Sequence, residues 1–123
     1  LKKLDKIKVL VPVIIESPYA ATNDASVRDH ELYARRCMKD CLLQGEAPFA
    51  SHLLYTQEEV LDDTVSQERE LGITAGFSWR KSANKTIVYT DYGTSNGMKH
   101  GVEHARLNGH IVEYRTIGRN PAT

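Results

Sequence analysis

The stretch Thr86–Ala105, TIVYTDYGTSNGMKHGVEHA, decides how this chain is read. A β-branched apolar run ends at Asp91, breaks into a Gly- and Ser-rich turn, and resumes at helical spacing from about Ser95. Strand, loop and helix in that order form the basic unit of a parallel α/β sheet. The free N–H groups at the start of such a helix favour a phosphate or carboxylate. Gly93 and Gly97 let the backbone approach a ligand, and Thr94, Ser95 and Asn96 supply polar side chains.

Working outward, the same alternation recurs. Ile7 to Ile15 is almost continuously apolar and suits a strand buried on both faces. ESPYAATNDAS follows, rich in turn formers, with Asp24 or Ser26 placed to cap a helix. Val27, Tyr33, Ala34, Cys37, Met38, Cys41 and Leu42 recur at three- and four-residue spacing until Gly45 stops the run. APFASHLLY reads as a second short strand with its outgoing loop. In LGITAGFSW the apolar residues alternate, a strand signal, yet DDTVSQERE before it resembles an acidic, capped helix start. The spacing predicts a helix over about Val65 to Lys81, capped by Thr64 or Ser66. Strands at Thr86–Thr90 and His110–Tyr114 enclose a helix at Ser95–Leu107. The expectation is a small three-layer Rossmann-like (flavodoxin-like) α/β domain with a mostly parallel sheet, spanning 1–123 as one unit with a tail at 116–123.

Bulk properties agree with a globular fold. The 123 residues suit one domain, and 41% hydrophobic with 26% charged residues is ordinary globular composition. Sixteen basic residues balance sixteen acidic ones, so the electrostatic footprint of a nucleic-acid duplex binder is absent. A net charge of zero gives little colloidal repulsion and favours a homo-oligomer. No apolar run has the length of a membrane span, and IKVLVPVII, short and interrupted by Pro12, is not read as a signal peptide. Cys37 and Cys41 lie four apart on a helical pattern, where buried packing thiols are expected, and the chain is assigned to the reducing cytoplasm.

Two loops leaving strand ends have a composition suited to a ligand site: Glu16–Ala20 and Thr90–Met98. In an open parallel sheet, ligands bind outside the carboxyl ends of the strands. His52 follows a strand end and joins them as a candidate. LDDTVSQERE concentrates Asp62, Asp63, Glu68 and Glu70, and paired carboxylates are what glycosidic chemistry requires. A solvated acidic first turn of a helix explains the same residues. His100–His104, HGVEH, matches the inverted zinc-protease pattern. Only nineteen residues follow it, in a small α/β chain, so helix surface is expected there, with no metal and no cofactor.

The sequence also resembles a known family. ESPYA is similar to the S-P-Y or G-P-F loop of the nucleoside 2-deoxyribosyltransferase superfamily, and VYTDYGTSNGMKHGVEHA to its strand–D-x-G-T/S…G–helix segment. Ser17–Tyr19, Ala34–Cys37 (ARRC), His52–Gln57 and Leu61–Ile73 resemble an uncharacterised phage and bacterial branch of it, over roughly Val9 to Thr116. The resemblance implies a nucleoside or nucleotide held at the carboxyl edge of the sheet and an N-glycosidic bond as the point of attack. It implies a positioning role for Tyr19, with Asp63, Glu68 and Asp91 as carboxylate candidates. Ser17, Pro18, His52, Gly93, Thr94, Ser95, Asn96, Gly97 and Met98 would bind the substrate, and Tyr19, Tyr55 and Tyr92 would stack on the base. The superfamily's nucleophilic Glu falls here on Gly101. The resemblance therefore also admits a module that binds without catalysis, such as a phage protein sequestering a nucleotide signal.

Overall fold

The computed structural model describes residues 9–118. Four strands, β1 (Val11–Glu16), β2 (Glu46–Phe49), β3 (Lys85–Tyr89) and β4 (Ile111–Arg115), form one sheet in the order β2-β1-β3-β4, and every pairing is parallel. The helices are α1 (Val27–Leu43), α2 (Ser51–Leu54), α3 (Ser66–Ser78), followed by a 3₁₀ turn at Arg80–Ser82, and α4 (Asn96–Leu107). The fold is the expected small Rossmann-like α/β domain.

Period-two alternation sorts the side chains of the central strands. Val13, Ile15, Ile87 and Tyr89 pack with Tyr33, Cys37 and Cys41 of α1 on one face. Val88 packs with Met98 and Val102 of α4 on the other. Arg80, just beyond α3, bonds Thr86 of β3 and the backbone of α4, so α3 and α4 share that second face. Because the chain leaves β1 toward β2 and leaves β3 toward β4, the direction of winding reverses between β1 and β3. That switch point opens a crevice at the carboxyl ends of these two strands.

Local chemistry explains most element boundaries. Ser26, not Asp24, caps α1: its Oγ accepts the Asp29 N–H at 3.0 Å while Asp29 Oδ2 accepts the Ser26 N–H at 2.8 Å. Ser95 caps α4 by accepting the Met98 N–H at 3.2 Å. The middle helix begins at Ser66 after Val65, and neither Thr64 nor Ser66 caps it. Thr64 instead donates to Asp62 Oδ1 through both its N–H (2.9 Å) and its hydroxyl (2.6 Å), closing a turn before the helix. The loop after β2 forms the short helix α2. At the N-terminus β1 starts at Val11: Val9 is 95% exposed outside the sheet, and residues 7 and 8 of the expected strand lie outside the described residues.

The expected tail begins later than 116. Ile117 packs against the α1-side core, and its N–H donates to both oxygens of Asp91, at 3.0 and 3.3 Å. The rest of that expectation, 119–123, lies outside the described residues. Cys37 and Cys41 are free and fully buried, as expected. Burial pushes both thiols up, Cys41 to about 11, so neither is ionised near neutrality.

Candidate functional site

A cleft of about 560 Å³ opens at the switch point, a size suited to a small organic ligand. Its floor is the end of β1, Ile14 and Glu16. The loop after β1 brings Ser17, Tyr19 and Ala20–Thr22, and the loop into α4 brings Thr94–Met98. The far wall comes from α2, α3 and the segment between them, through His52, Tyr55, Asp63, Glu68, Gly72, Gly76 and Phe77. The two loops singled out in the sequence thus face each other across one cavity.

Each wall is held by specific contacts. His30, buried in α1, fixes the first loop: its Nδ1 lies 3.2 Å from the Tyr19 carbonyl, which only accepts, so the proton sits on Nδ1. Ser17 Oγ and His52 Nε2 are joined at 2.6 Å. Desolvation, with His30 nearby, lowers the His52 pKa to about 4, so this imidazole is neutral at physiological pH. Tyr55 is set by its hydroxyl, which accepts the Trp79 indole N–H at 2.9 Å, and by the ring of Phe49. A Cβ at Gly97 would meet only Ser95 Oγ, at 3.9 Å, so the backbone there faces open cleft.

Not every expected residue reaches the cavity. Among the cleft-lining residues Tyr19, Asp63, Glu68, Ser17, His52, Thr94, Ser95, Asn96, Gly97 and Met98 are present, while Pro18, Gly93 and Asp91 are not. Pro18 is buried. Gly93 forms the turn, with φ of 81° and its N–H bonded to the Thr90 carbonyl. Asp91 is engaged by the fold: Tyr33 Oη donates to Oδ1 at 2.5 Å, and the Ile117 N–H takes up both oxygens. Tyr92 packs edge-on against His30 and Tyr33 and lines no part of the cleft; Tyr19, Tyr55 and Phe77 supply its aromatic surface.

The carboxylates of the acidic segment stand at the rim. Glu68 Oε1 accepts the Asp62 N–H at 3.1 Å, and Asp63 lies 3.9 Å from Arg69 Nε. Asp62 and Glu70 do not line the cavity.

Arg80 was not singled out in the sequence, and Glu16 entered only as the first residue of the Glu16–Ala20 loop. Glu16 ends the central strand with its side chain 17% exposed. Its Oε2 lies 3.4 Å from Arg80 Nη2, and Oε1 has no hydrogen-bond partner among the described residues. A Cβ built on Gly101 would fall within this carboxylate, 2.5 Å from Cδ and 2.6 Å from Oε1. The position where the resemblance expects a Glu is thus glycine, and a carboxylate from the adjacent strand fills its space.

Arg80 is 3% exposed and makes four hydrogen bonds. Its guanidinium donates to Glu16, to the Gly101 carbonyl at 3.3 Å, to Thr86 Oγ1 and to His104 Nδ1 at 3.2 Å. Thr86 in turn meets His110 Nδ1 at 2.9 Å, and His110 Nε2 meets the Ala83 carbonyl at 2.8 Å. That carbonyl requires the His110 proton on Nε2, so the chain runs in one direction from guanidinium to carbonyl. Burial outweighs the Arg80 charge and raises the Glu16 pKa to about 7. The sequence signal for this group was an acidic residue ending an apolar strand, at the head of the ESPYA loop.

The HGVEH segment gives helix packing. His104, half-buried rather than on the open surface, stacks on Phe77 with ring centroids 4.0 Å apart and accepts from Arg80, while His100 is exposed. Among the described residues no group of three or more His, Cys, Asp or Glu could hold a metal ion, and no helix is long and apolar enough to cross a membrane.

No curated protein and no solved structure matches the chain. A family model described as a domain of unknown function, DUF7768, matches residues 11–115, the whole sheet with its helices, and the chain belongs to that family.

Proposed function

We propose that the cleft binds a nucleoside or nucleotide and acts on its N-glycosidic bond. The observation that carries this reading is that the Ser17–Tyr19 and Thr94–Met98 segments, on which the resemblance to the nucleoside 2-deoxyribosyltransferase superfamily rests, line one cavity at the β1/β3 switch point. The rings of Tyr19, Tyr55 and Phe77 offer a base a stacking surface, and Ser17, Ser95 and Asn96 offer hydroxyls and phosphates polar partners. The reading retains a homo-oligomer in the cytoplasm, supported by zero net charge and two buried free thiols.

A second reading, a binding module without chemistry, draws on Gly101 at the position of the expected nucleophile and on an Asp91 turned into the fold. One experiment separates the two. The purified protein is incubated with nucleosides, deoxynucleotides, and cyclic and ADP-ribose-type nucleotides, and the filtrate and denatured protein are analysed by mass spectrometry. Free base or exchanged nucleoside in the filtrate is the expected result. Intact ligand retained with nothing consumed selects the binding module.

A further inference from the structure

We infer that Glu16 is the reacting carboxylate of this cleft, the group that meets the anomeric carbon of the bound nucleoside. This assignment rests on the N-glycosidic reading above and replaces the rim residues Asp63 and Glu68 in that role.

Three observations carry it. The first is place: Glu16 ends the central strand on the cleft floor, whereas Asp63 and Glu68 stand in the segment leading into and opening α3. A strand end on the cleft floor holds a side chain more rigidly than the loop carrying Asp63, and displacement chemistry depends on fixed geometry.

The second is space. The backbone of α4 comes so close that no side chain at Gly101 is compatible with the Glu16 carboxylate where it lies. The carboxylate and the Arg80 Nη2 that also donates to the Gly101 carbonyl thus lie together against bare helix backbone, and Glu16 lines the open cavity.

The third is asymmetry. Arg80 holds Oε2, and three further hydrogen bonds, to Thr86, His104 and the Gly101 carbonyl, anchor the guanidinium. Oε1 is left without a partner among the described residues, in a residue that lines the cleft. One anchored oxygen leaves the other able to meet a reacting carbon, as a nucleophilic or cation-stabilising carboxylate does.

The step balances with water as the one co-reactant. Ionised Oε1 forms a bond to C1′ as the C1′–N bond breaks, and the electron pair leaves with the base. Water protonates the base. The hydroxide equivalent left then adds to C1′, breaking the ester and returning Glu16 as a carboxylate. The sum is nucleoside plus water giving free sugar plus protonated base.

The test compares wild type, Glu16→Gln, Gly101→Ala and Glu103→Gln on the nucleoside and nucleotide panel, with folding checked by circular dichroism. Glu103 is exposed on α4 outside the cleft, and its variant should turn over like wild type. Glu16→Gln, which keeps an oxygen for Arg80, should lose at least about 100-fold in base release, on the scale of losing a reacting group. Gly101→Ala removes no polar group but displaces the carboxylate, and should lose turnover while remaining folded. It also keeps the question answerable if Glu16→Gln fails to fold. Base release by either variant at the wild-type rate overturns the assignment and leaves the N-glycosidic reading standing. Wild type that retains a nucleotide and releases no base overturns both, a pattern distinct from the first.

Discussion

The carboxylate of Glu16 and the backbone of Gly101 share one small volume: a methyl group on the glycine would lie 2.5 Å from Glu16 Cδ. The two residues are 85 positions apart, on β1 and α4, and meet only because β1 and β3 are neighbours with α4 laid over their ends. An acidic strand end, a helix glycine and a buried arginine make one site from three unconnected segments.

That site should leave a signature in the pH dependence of stability. Glu16 has a folded pKa of about 7 against a usual 4.5, because burial outweighs the Arg80 charge. Its contribution is fully present below pH 4.5 and is lost as pH rises through about 7, since the folded state holds the proton more tightly. Between those limits wild type should lose on the order of 3 kcal/mol relative to Glu16→Gln, which has no proton to release. Urea denaturation of both proteins at pH 4.5, 6 and 7.5 measures the difference. Parallel curves would mean that Glu16 titrates at an ordinary value.

His52 should produce the opposite slope. Desolvation lowers its pKa from 6.5 to about 4, so its contribution is present above pH 6.5 and is lost as pH falls through 4. His52→Gln, which keeps a polar group near Ser17, should remove up to about 3 kcal/mol of acid sensitivity over that window. The check is the same denaturation series continued to pH 4, or the imidazole shifts followed directly by NMR. A His52 resonance titrating near 6.5 would show that the ring is not desolvated.

Much of the fold was legible because its signals are local. Gly45, the Ser26 and Ser95 caps and the β-branched runs mark strand and helix ends within a few residues. The α3 segment was harder because its helix presents one side to a cleft instead of a core. Gly72, Ile73, Gly76 and Phe77 face the cavity while Leu71 and Trp79 are exposed, so hydrophobicity follows no clean helical period. The site was only half legible. Tyr19, Ser17 and Thr94–Met98 belong to loops whose composition is unusual in sequence. Glu16 and Arg80 acquire their meaning from each other, 64 positions apart.

Asp91 shows the converse error of local reading. In the turn after β3 it resembles a cleft carboxylate, yet it closes a structural node with Tyr33 and Ile117. Asp91→Asn should therefore cost about 1–3 kcal/mol of stability, the range for a disrupted hydrogen bond to a charged group. Ligand retention by the folded variant should be unchanged. Thermal denaturation with the filtration assay tests both, and a loss of binding at full stability would return Asp91 to the site.

The wall opposite Glu16 depends on a second close approach. A Cβ on Gly76 of α3 would lie 2.6 Å from Ser51 Oγ and 2.7 Å from Ser51 Cβ, so α2 and α3 dock through the missing side chain. Gly→Ala inside a helix ordinarily stabilises by about 1 kcal/mol. Here the sign should reverse, with Gly76→Ala costing about 1–3 kcal/mol through overpacking. Ser51→Gly removes both clashing atoms, and in that background the same Gly76→Ala change should become stabilising. A double-mutant cycle by urea denaturation reads the coupling directly. Additive effects would show that α2 shifts aside freely. In that case the His52 and Tyr55 side of the cleft is a movable wall, whereas strong coupling makes it as fixed as the strand end it faces.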